Sequence, residues 1–298
     1  DRAIDYLEAQ RGQSSPFFAY VSFPDPHHPF NPPGKYWDMY RPEDFDIPLP
    51  YAAHKNPTPP LRWLEAARGA GQMTEQTAIY LEDQQLKGAM ALTAGMITMI
   101  DDQVGRLVAA LKANGQYDNT IICFNSDHGD YLGDFNLLLK GLIPLRGLTR
   151  VPMIWSDPRD RTGREENGLA STIDISATLL DRVGARAFHG MQGVSFRPSL
   201  QGGAGGREDL LIEFNDGAPK FGFERPARVR TLVTPEWRLS LYGGEDWGEL
   251  YHLAEDLAET ENLWDAPAHA ATRAALTERL AHHLIAQMDE SPRATFLA

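Results

Sequence analysis

The 298-residue chain is 42% hydrophobic and 23% charged, the composition of a soluble globular protein long enough to bury a large core. Its formal net charge of −13 and its lack of a dense Lys/Arg run exclude a nucleic-acid-binding class, so an anionic substrate has to be held by local cations or metal against the overall field. The lone Cys123 excludes an intramolecular disulfide framework, and no apolar run reaches membrane-spanning length, which reads as a soluble chain, cytoplasmic or periplasmic, that opens at Asp1 rather than Met.

In chain order, residues 16–23 (PFFAYVSF) are aromatic and β-branched and predict a buried strand. Prolines keep the following Pro24-Asp25-Pro26-His27-His28-Pro29-Phe30 out of helix, and a long surface excursion runs on to Gly71. Apolar residues at Ala94, Ile97, Ile100, Val104, Leu107, Val108 and Leu111 follow a 3.6-residue period and predict a helix over 74–114, stopped by Asn114-Gly115. Residues 119–124 (NTIICF) predict a buried parallel strand ending at Asn125-Ser126-Asp127-His128-Gly129, and residues 151–155 a further short strand. Residues 174–183 predict a short helix with Gly184 as its stop. The glycine run 202–206 marks a boundary, giving one unit over 1–204 and a smaller α+β unit over 205–298. In the smaller unit, β-like runs at 210–214, 229–233, 237–242 and 249–253 predict an antiparallel sheet, and residues 268–288 a terminal helix.

Three places carry residue types that could do chemistry. Asp127 and His128 follow a buried apolar strand, where ligands of open α/β sheets collect; a carboxylate beside an imidazole suits a divalent cation, and the other reading is a polar turn. Lys140, just past the apolar Leu137-Leu138-Leu139, either reaches back to an oxyanion held on that metal or is a solvated lysine. His27, held between prolines, either protonates a leaving oxygen or is a turn residue without a chemical role. His54, His189, His252 and His269 lack partners at ligand spacing, the adjacent His282 and His283 do not share a helix face, and Asp101-Asp102 reads as a capping or solvated pair.

These segments, in this order, resemble the C-terminal portion of the sulfatase family of the alkaline phosphatase superfamily. Residues 17–30 are similar to its "PFF…vSF..PHxPF", residues 100–111 (IDDQVGRLVAAL) to its "iDdqvGrildaL", and residues 126–140 (SDHGDYLGDFNLLLK) to its "SDHGdxLGdHxlllK". Residues 150–155 (RVPMIW), Met191-Gln192-Gly193, Glu249-Leu250-Tyr251 and residues 259–264 (ETENLW) continue the likeness. The resemblance implies a mixed sheet sandwiched by helices with a smaller C-terminal sheet, and hydrolysis of a small anionic sulfate ester. It implies a divalent metal, usually Ca2+ with Mg2+ or Mn2+ as alternatives, held by Asp127 and His128. Lys140 would contact the sulfate, and His27 would be the general acid. The family's formylglycine nucleophile arises in a C/S-x-P-x-R motif. None occurs here, since Ser156-Asp157-Pro158-Arg159-Asp160 ends in Asp, and the paired N-terminal aspartates are also missing. Phe135 stands where the family has His, and Leu145-Arg146 where it has an aromatic-acidic pair. The expectation is therefore a sulfatase portion lacking an upstream segment, completed by that segment or by a second copy. A phosphonate or phosphate ester hydrolase on the same scaffold, or a non-catalytic metal- or anion-binding remnant, are the alternatives.

Overall fold

The computed structural model describes residues 1–71, 79–203 and 206–288. In chain order the helices are α1 (Arg2–Ala9), α2 (Pro59–Gly69), α3 (Asp83–Ala113), α4 (Arg146–Thr149), α5 (Asp174–Val183), α6 (Arg197–Leu200) and α7 (Ala270–Ala286). The strands are β1 (Ile122–Asn125), β2 (Met153–Ser156), β3 (Leu210–Asn215), β4 (Arg228–Val233), β5 (Trp237–Tyr242) and β6 (Gly248–His252). They form two compact units, one of Asp1–Tyr51, Ile79–Leu139 and Arg150–Gly163, the other of Ala52–Ala78, Lys140–Thr149 and Arg164–Ala298. The expected boundary at 204–205 lies outside the described residues. No helix among the described residues is long and apolar enough to cross a membrane.

The first unit is organised by the 31-residue α3. Its buried face carries Leu86, Ala89, Met90, Met96 and Ile100 at helical spacing. The expected start at Thr74 lies outside the described residues; the helix begins at Asp83, where the Glu82 amide donates to Gln85 Oε1 at 3.3 Å. Gly95 has no room for a side chain, because a Cβ there would sit 2.2 Å from the Tyr36 carbonyl oxygen. The loop bearing Tyr36 therefore lies directly on the helix, and Asp102 pins it by accepting from Tyr36 Oη at 2.6 Å and Lys35 Nζ at 2.9 Å. Asp102 thus ties a loop to the helix, a role that neither capping nor solvation describes.

Two sequence expectations fail in this unit. Residues 16–23 form no strand, and Phe18 and Tyr20 are 75% and 83% exposed. Strand propensity is realised only against a partner ladder, and among the described residues none pairs with this segment. Residues 122–125 do form β1, but it pairs antiparallel with β2 (Cys123 opposite Trp155) instead of entering a parallel ladder. Continuous apolar character suggested burial on both faces, whereas Ile122, Cys123 and Phe124 are only half-buried.

In the second unit β3–β6 form an antiparallel meander, with Leu232 opposite both Leu211 and Leu239. Leu276 and Leu280 of α7 pack on Leu232, Leu239 and Leu250. Each such buried leucine contributes roughly 1.5–3 kcal/mol. The chain is thus α/β, with its antiparallel C-terminal sheet where the short β-like runs placed it.

Asp174, at the start of α5, is buried and accepts from Arg207 Nη2 (2.6 Å), Arg207 Nε (2.8 Å) and the amides of Val194 and Ser171 (both 2.8 Å). Burial pushes its carboxyl up, but the Arg207 guanidinium and the two amides outweigh burial, so it sits below the usual carboxylate range. A carboxyl depressed on folding adds stability above its unfolded pKa and loses it as pH falls through the folded value. Asp174→Ala should therefore cost roughly 2–3 kcal/mol at neutral pH. The gap from the parent should shrink below about pH 4, as read by urea melts at several pH values.

Candidate functional site

Asp127 and His128 occupy the turn that leaves β1. The turn is fixed by Ser126 Oγ donating to the His128 carbonyl (2.8 Å) and by the His128 amide donating to Asp127 Oδ1 (3.0 Å). His128 Nδ1 lies 2.8 Å from the Gly129 carbonyl oxygen. A carbonyl only accepts, so Nδ1 carries the proton and Nε2 keeps its lone pair in the neutral ring. That Nε2 is 3.7 Å from Asp127 Oδ2, and the two side chains are 41% and 86% exposed. The gap is too long for a hydrogen bond and suits two donors to one cation at about 2.0–2.4 Å each. Among the described residues no third His, Cys, Asp or Glu joins them.

Asp130 is the residue that sequence reasoning passed over. Its Oδ1 accepts the amides of Leu132 (2.9 Å) and Leu139 (2.7 Å), closing the loop that starts at the Asp127-His128 turn. Amide donation from Tyr131 to Leu139 (2.9 Å) and from Gly133 to Leu137 (2.8 Å) continues the closure. Leu132, Phe135, Asn136 and Leu139 all have φ between 42° and 67°. Left-handed backbone at non-glycine residues costs about 1–3 kcal/mol each and is kept only where the surroundings over-determine it. Here the burial of Tyr131, Phe135, Leu137 and Leu138 does so, with Asn136 accepting from the Tyr51 amide (2.8 Å) and donating to Asp83 (2.9 Å). Phe135, which stands in place of the family's His, is therefore a core residue. The Asx-type spacing of Asp130 and Leu132 is the signal that could have revealed this loop.

His27 lies exposed in the same unit, its ring 4.1 Å from that of His28 and its Nδ1 2.8 Å from the His28 carbonyl oxygen, so its Nε2 also faces outward from a fixed tautomer. No hydrogen bond or ion pair among the described residues joins it to Asp127 or His128. Lys140 belongs to the second unit and is half-buried. The structure thus places Asp127 and His128 side by side.

Three of the other histidines are occupied. His252 stacks on Trp237 at 4.2 Å and pairs with Glu255, while His54 is buried against Tyr251, with Nε2 3.2 Å from the phenol oxygen. His283 pairs with Asp209, which Arg279 also holds. Burial raises the Cys123 thiol, which disfavours the thiolate and a nucleophilic role.

The family model described as Sulfatase matches residues 1–185, and the one described as N-sulphoglucosamine sulphohydrolase, C-terminal, matches residues 145–286. An arylsulfatase from Clostridium perfringens is 34% identical over 88% of this chain and 52% of its own length. The multifunctional alkaline phosphatase superfamily protein PehA of Trinickia caryophylli is 30% identical over 95% of this chain and 59% of its own. The crystal structure of the phosphonate monoester hydrolase of Agrobacterium radiobacter superposes with a TM-score of 0.81 at 27% identity, over 99% of this chain and 62% of that one. The chain spans a little over half the length of these curated relatives.

Proposed function

The chain belongs to the sulfatase family, and from that premise we propose that it serves the metal-assisted hydrolysis of a sulfate ester, with Asp127 and His128 holding the cation, Lys140 contacting the sulfate and His27 serving the leaving oxygen. The observation that carries this reading is the 3.7 Å gap between Asp127 Oδ2 and the basic Nε2 of His128. A bound divalent cation would supply Lewis-acid polarisation of the sulfuryl oxygens. Calcium is the family's usual ion, and the Asp127 carboxylate suits it. The imidazole of His128 is a donor that manganese accepts more readily than calcium or magnesium.

Each residue has a defined task. The Gly129 carbonyl holds His128 Nδ1–H and so keeps Nε2 directed outward as a ligand. The Lys140 ammonium stabilises negative charge gathering on the non-bridging oxygens. His27, with Nδ1 committed to the His28 carbonyl, hands a proton from Nε2 of its imidazolium to the departing oxygen. No C/S-x-P-x-R occurs in the 298 residues, so the covalent step is assigned to none of them.

These residues alone should bind Mn2+ or Ca2+ weakly, since two protein donors fall short of the about six to eight that calcium takes. They should bind inorganic sulfate and give no burst or steady turnover of an aryl sulfate, having no activated nucleophile. Calorimetric titration beside a chromogenic assay checks this. Multiple turnover lost in Asp127→Ala would place a nucleophile among these residues, and absence of any metal binding would overturn the ligand assignment. The 27% identity to the phosphonate monoester hydrolase favours one second reading, a phosphonate or phosphate ester as substrate. Competition between sulfate and phenylphosphonate for the metal-loaded chain separates the two, tighter sulfate binding being the expected result.

A further inference from the structure

The second unit buries a charge cluster that the proposed chemistry does not use. Arg238 on β5 is 1% exposed, and its Nε donates to Glu259 Oε1 (2.5 Å) while its Nη1 donates to Glu249 Oε2 on β6 (2.9 Å) and to Ser240 Oγ (2.8 Å). Tyr242 Oη donates to the same Glu249 oxygen (3.1 Å), and the Arg238 guanidinium lies 4.6 Å from the centre of the Tyr251 ring. Replacing such a cluster by well-packed apolar residues is often neutral or stabilising, so the cluster is poorly explained by stability alone. What it adds is a fixed position for Glu259.

Glu259 has one oxygen left over from Arg238, and it uses that oxygen at a distance of 113 residues in sequence. Its Oε2 accepts the backbone N–H of Arg146 at 2.8 Å. Arg146 opens α4, six residues after Lys140. Between them Leu142, Ile143 and Leu145 are each no more than 1% exposed, so little slack separates the anchored amide from the lysine. Glu259 itself is held at φ 59°, left-handed backbone that a non-glycine residue adopts only at a cost. That cost is understandable where a single carboxylate must face two donors from different parts of the chain.

We propose that Glu259 is a positioning residue for the anion-contacting lysine: locked to Arg238 and accepting the Arg146 amide, it fixes segment 140–149 and with it the Lys140 ammonium. This rests on the reading of Lys140 as the sulfate contact. A glutamine at 259 has one acceptor where the carboxylate has two, so it must turn an N–H toward either Arg238 or the Arg146 amide and loses one of the bonds. The cluster also couples the anchor to pH. Burial pushes the Glu259 carboxyl up to about 7 against the pull of Arg238, with Glu249 and Asp256 adding to the rise. The other groups facing the cluster are Tyr242 and Tyr251, both raised by burial, and His54, which burial lowers.

The test is amide hydrogen exchange and sulfate titration on the full chain, comparing the parent with Glu259→Gln, Arg146→Pro and Lys140→Ala. Proline at the first position of α4 removes the backbone donor together with the Arg146 side chain and leaves the Arg238–Glu259 pair in place, so it stands in, beside an Arg146→Ala control that keeps the N–H, should Glu259→Gln fail to fold. Both variants should speed exchange across 140–149 about tenfold, the loss of one charge-assisted hydrogen bond, and weaken sulfate binding by a similar factor while α3 exchange is unchanged. In the parent, protection of the 140–149 amides, corrected for intrinsic rates, should change in a step centred near pH 7, and in Glu259→Gln this step should be absent. Exchange and sulfate affinity within twofold of the parent in both variants would overturn the proposal. Should Lys140→Ala leave sulfate affinity unchanged while Glu259→Gln still loosens 140–149, the failure lies with the reading of Lys140, and Glu259 is a structural anchor only.

Discussion

Arg238→Met is expected to destabilise the chain by roughly 3–5 kcal/mol, because it leaves two buried carboxylates without their shared cation. Glu249 is 0% and Glu259 2% exposed, so water does not readily take over from the guanidinium. The pH dependence has a definite sign. Glu259 is raised on folding from 4.5 to about 7 even with Arg238 present, so between those values the native chain holds the extra proton. Stability from this group is therefore greatest at low pH and falls as pH rises through about 7. Removing Arg238 takes away the opposing charge and strengthens that trend, so the penalty of Arg238→Met should be smaller at pH 5 than at pH 8. Adding Glu249→Gln and Glu259→Gln to Arg238→Met should recover much of the loss, because the uncompensated charges go with the arginine. Chemical denaturation at the two pH values measures the parent and both variants; a loss below about 1 kcal/mol for Arg238→Met would mean the cluster is solvated.

How much of this was readable beforehand depended on sequence separation. The four C-terminal strands and α5 with its Gly184 stop follow from patterns within a few residues, and they appear where the β-like runs and the capping glycine put them. Residues 16–23 have the same local character as a strand and still form none, because a ladder requires a partner that propensity does not describe. The direction of β1 was misread for a related reason: an apolar run reports burial, and only the pairing with β2 decides parallel or antiparallel. Of the site, the Asp127-His128 pair was legible because its members are chain neighbours. The tautomer of His128 was not, since it is set by the Gly129 carbonyl in the folded turn. The anchoring of Arg146 by Glu259 spans 113 residues, and no local pattern announces it.

Asp127→Ala should weaken divalent cation binding at least about 100-fold, beyond the 10–100-fold that loss of an outer partner of a ligand costs. It removes the only carboxylate that stands within 4 Å of His128 among the described residues. The fold should be indifferent to the change. The Asp127 side chain is 86% exposed, and its backbone bond, from the His128 amide, lies in a turn also held by Ser126. Stability within about 0.5 kcal/mol of the parent is the matching expectation.

The most direct test of the metal assignment is the pair of imidazole 15N resonances of His128, followed as the chain is titrated with a diamagnetic divalent cation. Binding through the pair requires Nε2 to shift while Nδ1 keeps the signature of a protonated nitrogen bonded to the Gly129 carbonyl, and it requires the Nε2 shift to vanish in Asp127→Ala. An Nε2 resonance that does not move under saturating cation, or a shift centred on Nδ1, would contradict the assignment of Asp127 and His128 as a metal-ligand pair.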